Sequence, residues 1–71
     1  MLKKGDYVMI VNSSFPKTNG KIAMVNRREK DIGGYYWIDY LFGYKPNGGE
    51  RIVFENEVRK LKEEEVLPYL I

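Results

Sequence analysis

The hydrophobic pattern of this chain consists of short runs of β-forming residues. The runs span residues 7–11, 21–26, 35–42 and 51–54. Each run is too short for an amphipathic helix, and turn-favouring pairs such as Asn19-Gly20 and Gly33-Gly34 lie between them. We therefore predict four strands in a meander, with the aromatic-rich third run as the central strand.

The C-terminal part of the chain predicts a returning strand and a short tail. Residues 55–58 form a polar turn with one apolar residue, which suits a brief 3-10 turn, and residues 59–62 can pair as a fifth strand. In the acidic tail that follows, three glutamates favour the start of a helix, whereas Pro68 discourages its extension. The predicted fold is mainly β, a five-stranded and partly open barrel with a 3-10 turn before the last strand.

Charged residues predict which side chains face solvent, because successive side chains of a strand point to opposite faces. The reference charges are Lys21 for the second strand, Asp39 for the third, and Arg51 with Glu55 for the fourth. The residues predicted to point inward are Ile22, Met24, Tyr36, Ile38, Tyr40, Phe42, Ile52 and Phe54. In the first strand the residues of both alternating faces are apolar, and we assign Val8 and Ile10 to the core.

The outward residues of the second, third and fourth strands would then form one aromatic and basic surface. They are Lys21, Ala23, Tyr35, Trp37, Asp39, Arg51 and Val53. A solvent-facing indole beside basic side chains suits stacking on a base or a peptide side chain, while the cations hold phosphates. The alternative is that the apolar tail, from Val66 onward, buries itself on this surface.

The chain is short enough to be one domain over residues 1–71, with the barrel over about 4–62 and the tail over 63–71. Its composition excludes several kinds of functional site. No cysteine or histidine is present, which removes disulfides, the usual zinc ligands and the common nucleophile–base pairs. We expect no enzyme activity, no catalytic residue, no metal and no cofactor. Because no apolar leader or run of roughly 20 apolar residues occurs, we expect a cytoplasmic protein without a membrane partner.

The charge balance permits nucleic-acid binding without requiring it. Twelve Lys and Arg residues stand against ten Asp and Glu residues, for a formal net charge of +2. Arg27 and Arg28 could contact phosphate, but Glu29 and Asp31 lie in the same run and weaken the positive field. A solvated loop is the alternative interpretation of this run.

Several short motifs resemble those of an SH3-like barrel. They lie at residues 5–10, 19–25, 36–38 and 53–58. Their order is similar to that of the small barrels that include the KOW domains of ribosomal and transcription proteins and the small barrel protein of photosystem I. The resemblance implies a partly open barrel of five strands that binds RNA, a nucleoprotein or a peptide.

The sequence thus predicts a non-enzymatic binding module that engages nucleic acid or a nucleoprotein. The candidate ligand-binding residues are Trp37, Tyr35, Lys21, Arg51, Arg27 and Arg28. The alternative is a protein-interaction module that docks on a larger assembly, or associates with itself, through exposed aromatic residues or the tail.

Overall fold

Five antiparallel strands form one open sheet across the residues that the computed structural model describes, 1–30, 33–46 and 48–70. The strands are β1 (Tyr7–Ile10), β2 (Ile22–Arg28), β3 (Tyr35–Tyr40), β4 (Ile52–Phe54) and β5 (Val58–Lys60). Their order in the sheet is β4-β3-β2-β1-β5, so β5 returns to pair with β1 and the sheet does not close. The predicted mainly β fold of five strands in a partly open arrangement is confirmed.

Three of the connections between strands contain a short 3-10 helix. These helices span Pro16–Thr18, Gly48–Arg51 and Glu55–Glu57, and the last of them precedes β5 as predicted. The expected turn at Asn19-Gly20 is also present, with Gly20 at a φ of +88°, a conformation in which a side chain would be strained. Asp31, Ile32, Asn47 and Ile71, which belong to the predicted turns and tail, lie outside the described residues.

The main core lies on the inner face of the sheet. It contains Leu2, Val8, Ile10, Ala23, Val25, Tyr36, Ile38 and Val53. The strand register places Val8 opposite Ala23 and Val25 opposite Ile38, so these side chains meet on one face. Burial of each larger aliphatic side chain contributes roughly 1.5–3 kcal/mol. The predicted inward orientations of Val8, Ile10, Tyr36 and Ile38 are confirmed.

The C-terminal helix α1 (Glu63–Leu70) covers the opposite face of β1 and the start of β2. Val66 is fully buried there and packs with Ile22 and Leu61. The half-buried residues Tyr7, Met9 and Leu41 pack around these three, and we call the whole group the helix-side cluster. Both faces of β1 are covered, which explains why the residues on both of its faces are apolar. The described part of the tail, 63–70, therefore does not bury itself on Tyr35 or Trp37.

Helix α1 continues through Pro68, although the sequence predicted that proline would limit it to about one turn. A carboxylate oxygen of Glu65 accepts the N–H of Lys62 at 3.0 Å, and Arg59 pairs with the same side chain at 2.9 Å. These contacts fix the first turn and lower the pKa of Glu65. Pro68 removes the N–H that would bond to the carbonyl of Glu64, and the helix nevertheless extends two residues beyond it to Leu70. No helix in the described part of the chain is long and apolar enough to cross a bilayer.

The predicted orientation of β4 is wrong. Val53 is 2% exposed and belongs to the main core, whereas Phe54 is 39% exposed and Ile52 is half-buried on the outer face. The reference charges, Arg51 and Glu55, lie in the 3-10 helices on either side of this strand. Strand alternation does not hold there, so neither charge reports the orientation of β4.

The predicted orientation of the first half of β2 is also wrong. Ala23 is fully buried in the main core, whereas Ile22 and Met24 lie on the opposite face of the sheet, where Ile22 is buried in the helix-side cluster. Lys21, the reference charge, precedes the strand. Phe42 was predicted to point inward but is 52% exposed, because β3 ends before it and its φ of +61° turns the chain away.

Candidate functional site

The outer side of β3 and β4 carries a group of aromatic side chains. Tyr35 lies opposite Phe54 in the antiparallel register, and their ring centroids are 3.9 Å apart. Trp37 lies opposite Ile52 on the same side of the sheet, because alternate residues of a strand share a face. We call these four residues the aromatic face. Tyr35 and Trp37 therefore point outward, as predicted, and both are half-buried.

Two charged side chains hold the indole of Trp37. The guanidinium of Arg27 lies over the ring at 4.8 Å from its centroid, and the indole N–H donates to a carboxylate oxygen of Glu29 at 2.7 Å. A guanidinium nitrogen of Arg27 also lies 3.9 Å from the same carboxylate oxygen of Glu29. An exposed cation–π contact of this kind contributes about 0.5–1 kcal/mol. With its N–H bonded and one ring face covered, Trp37 offers less free surface for stacking than an unobstructed indole would.

A β-bulge places Arg27 on the aromatic face. The pairing of β2 with β3 shifts by one residue between Val25 and Arg27, so that Arg27 lies opposite Trp37. The side chain of the extra residue, Asn26, donates a hydrogen bond to Asp39 at 2.8 Å. The bulge is therefore held by a side-chain contact as well as by the strand pairing.

Basic residues from two parts of the chain surround a depression of about 520 Å³ beside the aromatic face. The five cations that line this basic depression are Lys3, Lys4, Arg27, Arg28 and Lys30; Glu29, Gly33 and Tyr36 complete its walls. All five cations are exposed, and within the described residues only Arg27 has a carboxylate within 4 Å. The site thus carries a local excess of positive charge that the net charge of +2 does not indicate.

A tight turn brings Lys3 and Lys4 to the end of β2. The backbone N–H of Lys3 donates to the carboxylate of Asp6 at 2.9 Å, and the N–H of Asp6 donates to the carbonyl of Lys3 at 3.0 Å. Gly5, at a φ of +91°, then donates its N–H to the carbonyl of Val25 at 2.9 Å. Lys3 and Lys4 were not predicted as site residues from the sequence, because only this pairing across the fold brings them to the arginines.

Tyr36 contributes a neutral phenol to the basic depression. Its hydroxyl donates to a carboxylate oxygen of Glu55 at 3.0 Å, and the N–H of Leu2 donates to the same oxygen at 3.4 Å. Burial, reinforced by the hydrogen bond to Glu55, raises the pKa of Tyr36 above its usual value. The phenol therefore stays protonated, and its role at this site is to shape the wall.

An apolar groove of about 420 Å³ lies between the β1–β2 loop and the aromatic face. Its lining residues are Ser14, Phe15, Glu29, Tyr35, Ile52, Phe54 and Glu57. Phe15 and Phe54 are 41% and 39% exposed, so the groove presents large apolar side chains to solvent. Neither Phe15 nor Phe54 was predicted from the sequence to bind a ligand.

The structure separates the remaining predicted site residues from Trp37. Lys21 lies at the other end of β2, with its ammonium nitrogen 5.1 Å from the ring centroid of Tyr44. Arg51 lines a different depression, which it shares with Asp39 and Tyr44. Together with the buried Ala23 and Val53, these positions mean that the predicted single aromatic and basic surface does not exist as one face.

Among the described residues, no group of three or more acidic side chains is placed to hold a metal ion. The resemblance to SH3-like barrels stays a prediction that rests on the motifs alone. No protein-family model, curated protein or solved structure matches this chain.

Proposed function

We propose that this protein is a non-enzymatic nucleic-acid-binding module that holds a phosphate backbone in its basic depression. The observation that carries this proposal is the convergence of five cations, from the N-terminal turn and from the end of β2, around one concave site. Lys and Arg side chains that neutralise phosphates release condensed counterions, which supplies most of the affinity of sequence-independent binding. Concavity adds to this effect, because a low-dielectric wall focuses the positive field.

The mode of binding follows from the occupied aromatic rings. Trp37 is covered by Arg27 and bonded to Glu29, and Tyr35 is packed on Phe54. One face of Trp37 and one face of Tyr35 are covered, whereas all five cations of the depression are exposed, so we infer that the phosphates and not the bases are the recognised groups. We therefore infer weak dependence on nucleotide sequence and strong dependence on salt.

The experiment measures binding of a labelled single-stranded RNA of about ten nucleotides by fluorescence anisotropy at increasing salt. If four or five side chains contact phosphates, the logarithm of affinity should fall with the logarithm of salt at a slope of about −3. The double variant Lys4→Gln/Arg28→Gln should reduce this slope by about 1.4. The matched control Lys45→Gln/Lys62→Gln removes the same charge from exposed positions outside the depression and should keep most of the slope.

Two results would refute the proposal. One is the absence of binding at low salt, where phosphate contacts are strongest. The other is an equal loss of binding in the double variant and in the matched control. Equal affinity for poly-glutamate of the same length would show instead that the depression recognises any polyanion and not nucleic acid.

A further inference from the structure

The apolar groove is a second site whose chemistry is the opposite of that of the basic depression. Three residues of the aromatic face line it, namely Ile52 and the pair Tyr35 and Phe54, whose rings are packed at a tilt of 33°. Phe15, on the β1–β2 loop, lines the same groove. A volume of about 420 Å³ falls within the range of small-ligand sites, so the groove fits a few residues of an extended chain but not a folded surface.

The loop that carries Phe15 is held by its own hydrogen bonds. The N–H of Phe15 donates to the hydroxyl of Ser13 at 2.9 Å, and its carbonyl accepts the hydroxyl of Thr18 at 2.7 Å. Thr18 is fully buried, and the amide oxygen of Asn19 accepts the N–H of Ser13 at 3.0 Å. The exposed ring of Phe15 is therefore presented by an ordered backbone, which limits the entropy lost when a ligand binds.

Both charges on the groove are negative. Glu29 and Glu57 line it, and none of the described residues that line it is basic. The carboxylate of Glu57 accepts the N–H of Phe54 at 2.7 Å and the N–H of Ser14 at 3.3 Å, so it is fixed at the edge of the apolar surface. Such a site repels phosphate and attracts a cation that is attached to an apolar group.

We propose that this groove binds an extended peptide segment in which apolar side chains are flanked by lysine or arginine. The apolar side chains pack between Phe15 and Phe54, and a flanking cation lies near the carboxylate of Glu57. The groove and the basic depression stand on the two sides of Glu29, which lines both. Peptide binding here does not depend on the proposed nucleic-acid binding, because the two sites attract charges of opposite sign.

The test begins with selection from a display library of random heptapeptides on the full chain. Sequences with a central apolar pair flanked by basic residues should be enriched. A selected peptide, titrated into isotope-labelled protein, should shift the amide resonances around Phe15, Ile52 and Phe54. A synthetic copy with glutamate in place of each basic residue should bind at least tenfold more weakly.

Variants separate the groove from a general surface effect. Phe15→Ala and Glu57→Gln should each weaken the selected peptide at least fivefold, whereas Leu67→Ala, at an exposed position on α1, should leave it unchanged. Unchanged near-ultraviolet circular dichroism would show that each variant is folded. Lys4→Gln/Arg28→Gln should keep peptide binding even if nucleic-acid binding is lost, so the two proposals can fail separately.

Three outcomes would overturn the inference. They are a library that yields no enriched peptide, equal binding of the acidic copy, and resonance shifts that lie outside the groove. Groove resonances that move with protein concentration in the absence of peptide would show that a second copy of this chain is the occupant.

Discussion

The guanidinium of Arg27 lies 4.8 Å from the centroid of the Trp37 ring, and this contact joins the basic depression to the aromatic face. Arg28, the next residue, lines the depression without contacting the indole. The two arginines therefore differ in what they touch, although their charges are the same. This difference makes them a matched pair for testing.

Arg27→Gln should change both the environment of Trp37 and the binding of nucleic acid. Trp37 is the only tryptophan of the chain, so its fluorescence reports the loss of the covering guanidinium as a shift of the emission to longer wavelength. The free energy of unfolding should fall by about 0.5–1 kcal/mol. Arg28→Gln should leave the emission unchanged and reduce only the salt slope, by about 0.7. Equal spectra for the two variants would contradict the stacked geometry.

Glu29→Gln should increase the affinity for nucleic acid. The glutamate is the one acidic residue among the described walls of the basic depression, so its replacement removes a charge that repels phosphate. The amide oxygen of glutamine can still accept the indole N–H, and the aromatic face should keep its shape. Anisotropy titrations at low salt should show an affinity gain of severalfold that disappears at high salt, where charges are screened. A gain that persists at high salt would point to a conformational change instead.

Val66→Ala should destabilise the fold, whereas Leu67→Ala should not. Val66 is fully buried in the helix-side cluster, and its truncation should cost about 1–3 kcal/mol from lost burial and a residual cavity. Leu67 follows it in the same helix but is 47% exposed, so its replacement should change stability by about 0.5 kcal/mol or less. Chemical denaturation measures both values. Similar values for the two variants would mean that α1 is not docked on the sheet.

Stability should fall in alkaline solution as the buried tyrosines ionise. The hydroxyl of Tyr40 donates to the carbonyl of Glu50 at 2.6 Å, and burial is the main cause that raises the pKa of Tyr40 from 10.0 to about 12. An unfolded chain releases this proton first as the pH rises. The contribution to stability is therefore fully present below pH 10 and is lost as the pH approaches about 12.

Tyrosinate absorbance and denaturation at several pH values would measure this loss together. Tyr40→Phe should remove one late-ionising group and reduce the alkaline loss of stability. At neutral pH the same variant should cost about 1 kcal/mol, because the carbonyl of Glu50 loses its hydroxyl partner. An unchanged alkaline profile would show that Tyr40 does not ionise late.

The sequence predicts orientation correctly where the reference charge lies inside a strand. Asp39 is part of β3, is exposed, and correctly predicts that its neighbours Tyr36 and Ile38 point inward. The same rule fails for Val53, because Arg51 and Glu55 lie outside β4. The position of each strand end depends on tertiary packing, which the local pattern does not contain.

The candidate sites depend on contacts between distant parts of the chain. Arg27 and Arg28 are recognisable as a basic pair, but Lys3 and Lys4 join them only through the bond from Gly5 to Val25. Phe15 and Phe54 line the same groove only because the fold brings β4 near the β1–β2 loop. No short-range sequence pattern predicts either association, so the residues of each site can be identified only from the fold.

The bulge at Asn26 decides which residue becomes the neighbour of the indole. In an uninterrupted ladder Asn26 would stand opposite Trp37, and Arg27 would stand opposite Tyr36. The extra residue shifts the pairing of each arginine by one position. The guanidinium of Arg27 therefore covers the Trp37 ring, and that of Arg28 remains exposed to solvent. The single bulged residue Asn26 thus places the chemically identical side chains of Arg27 and Arg28 in two different environments.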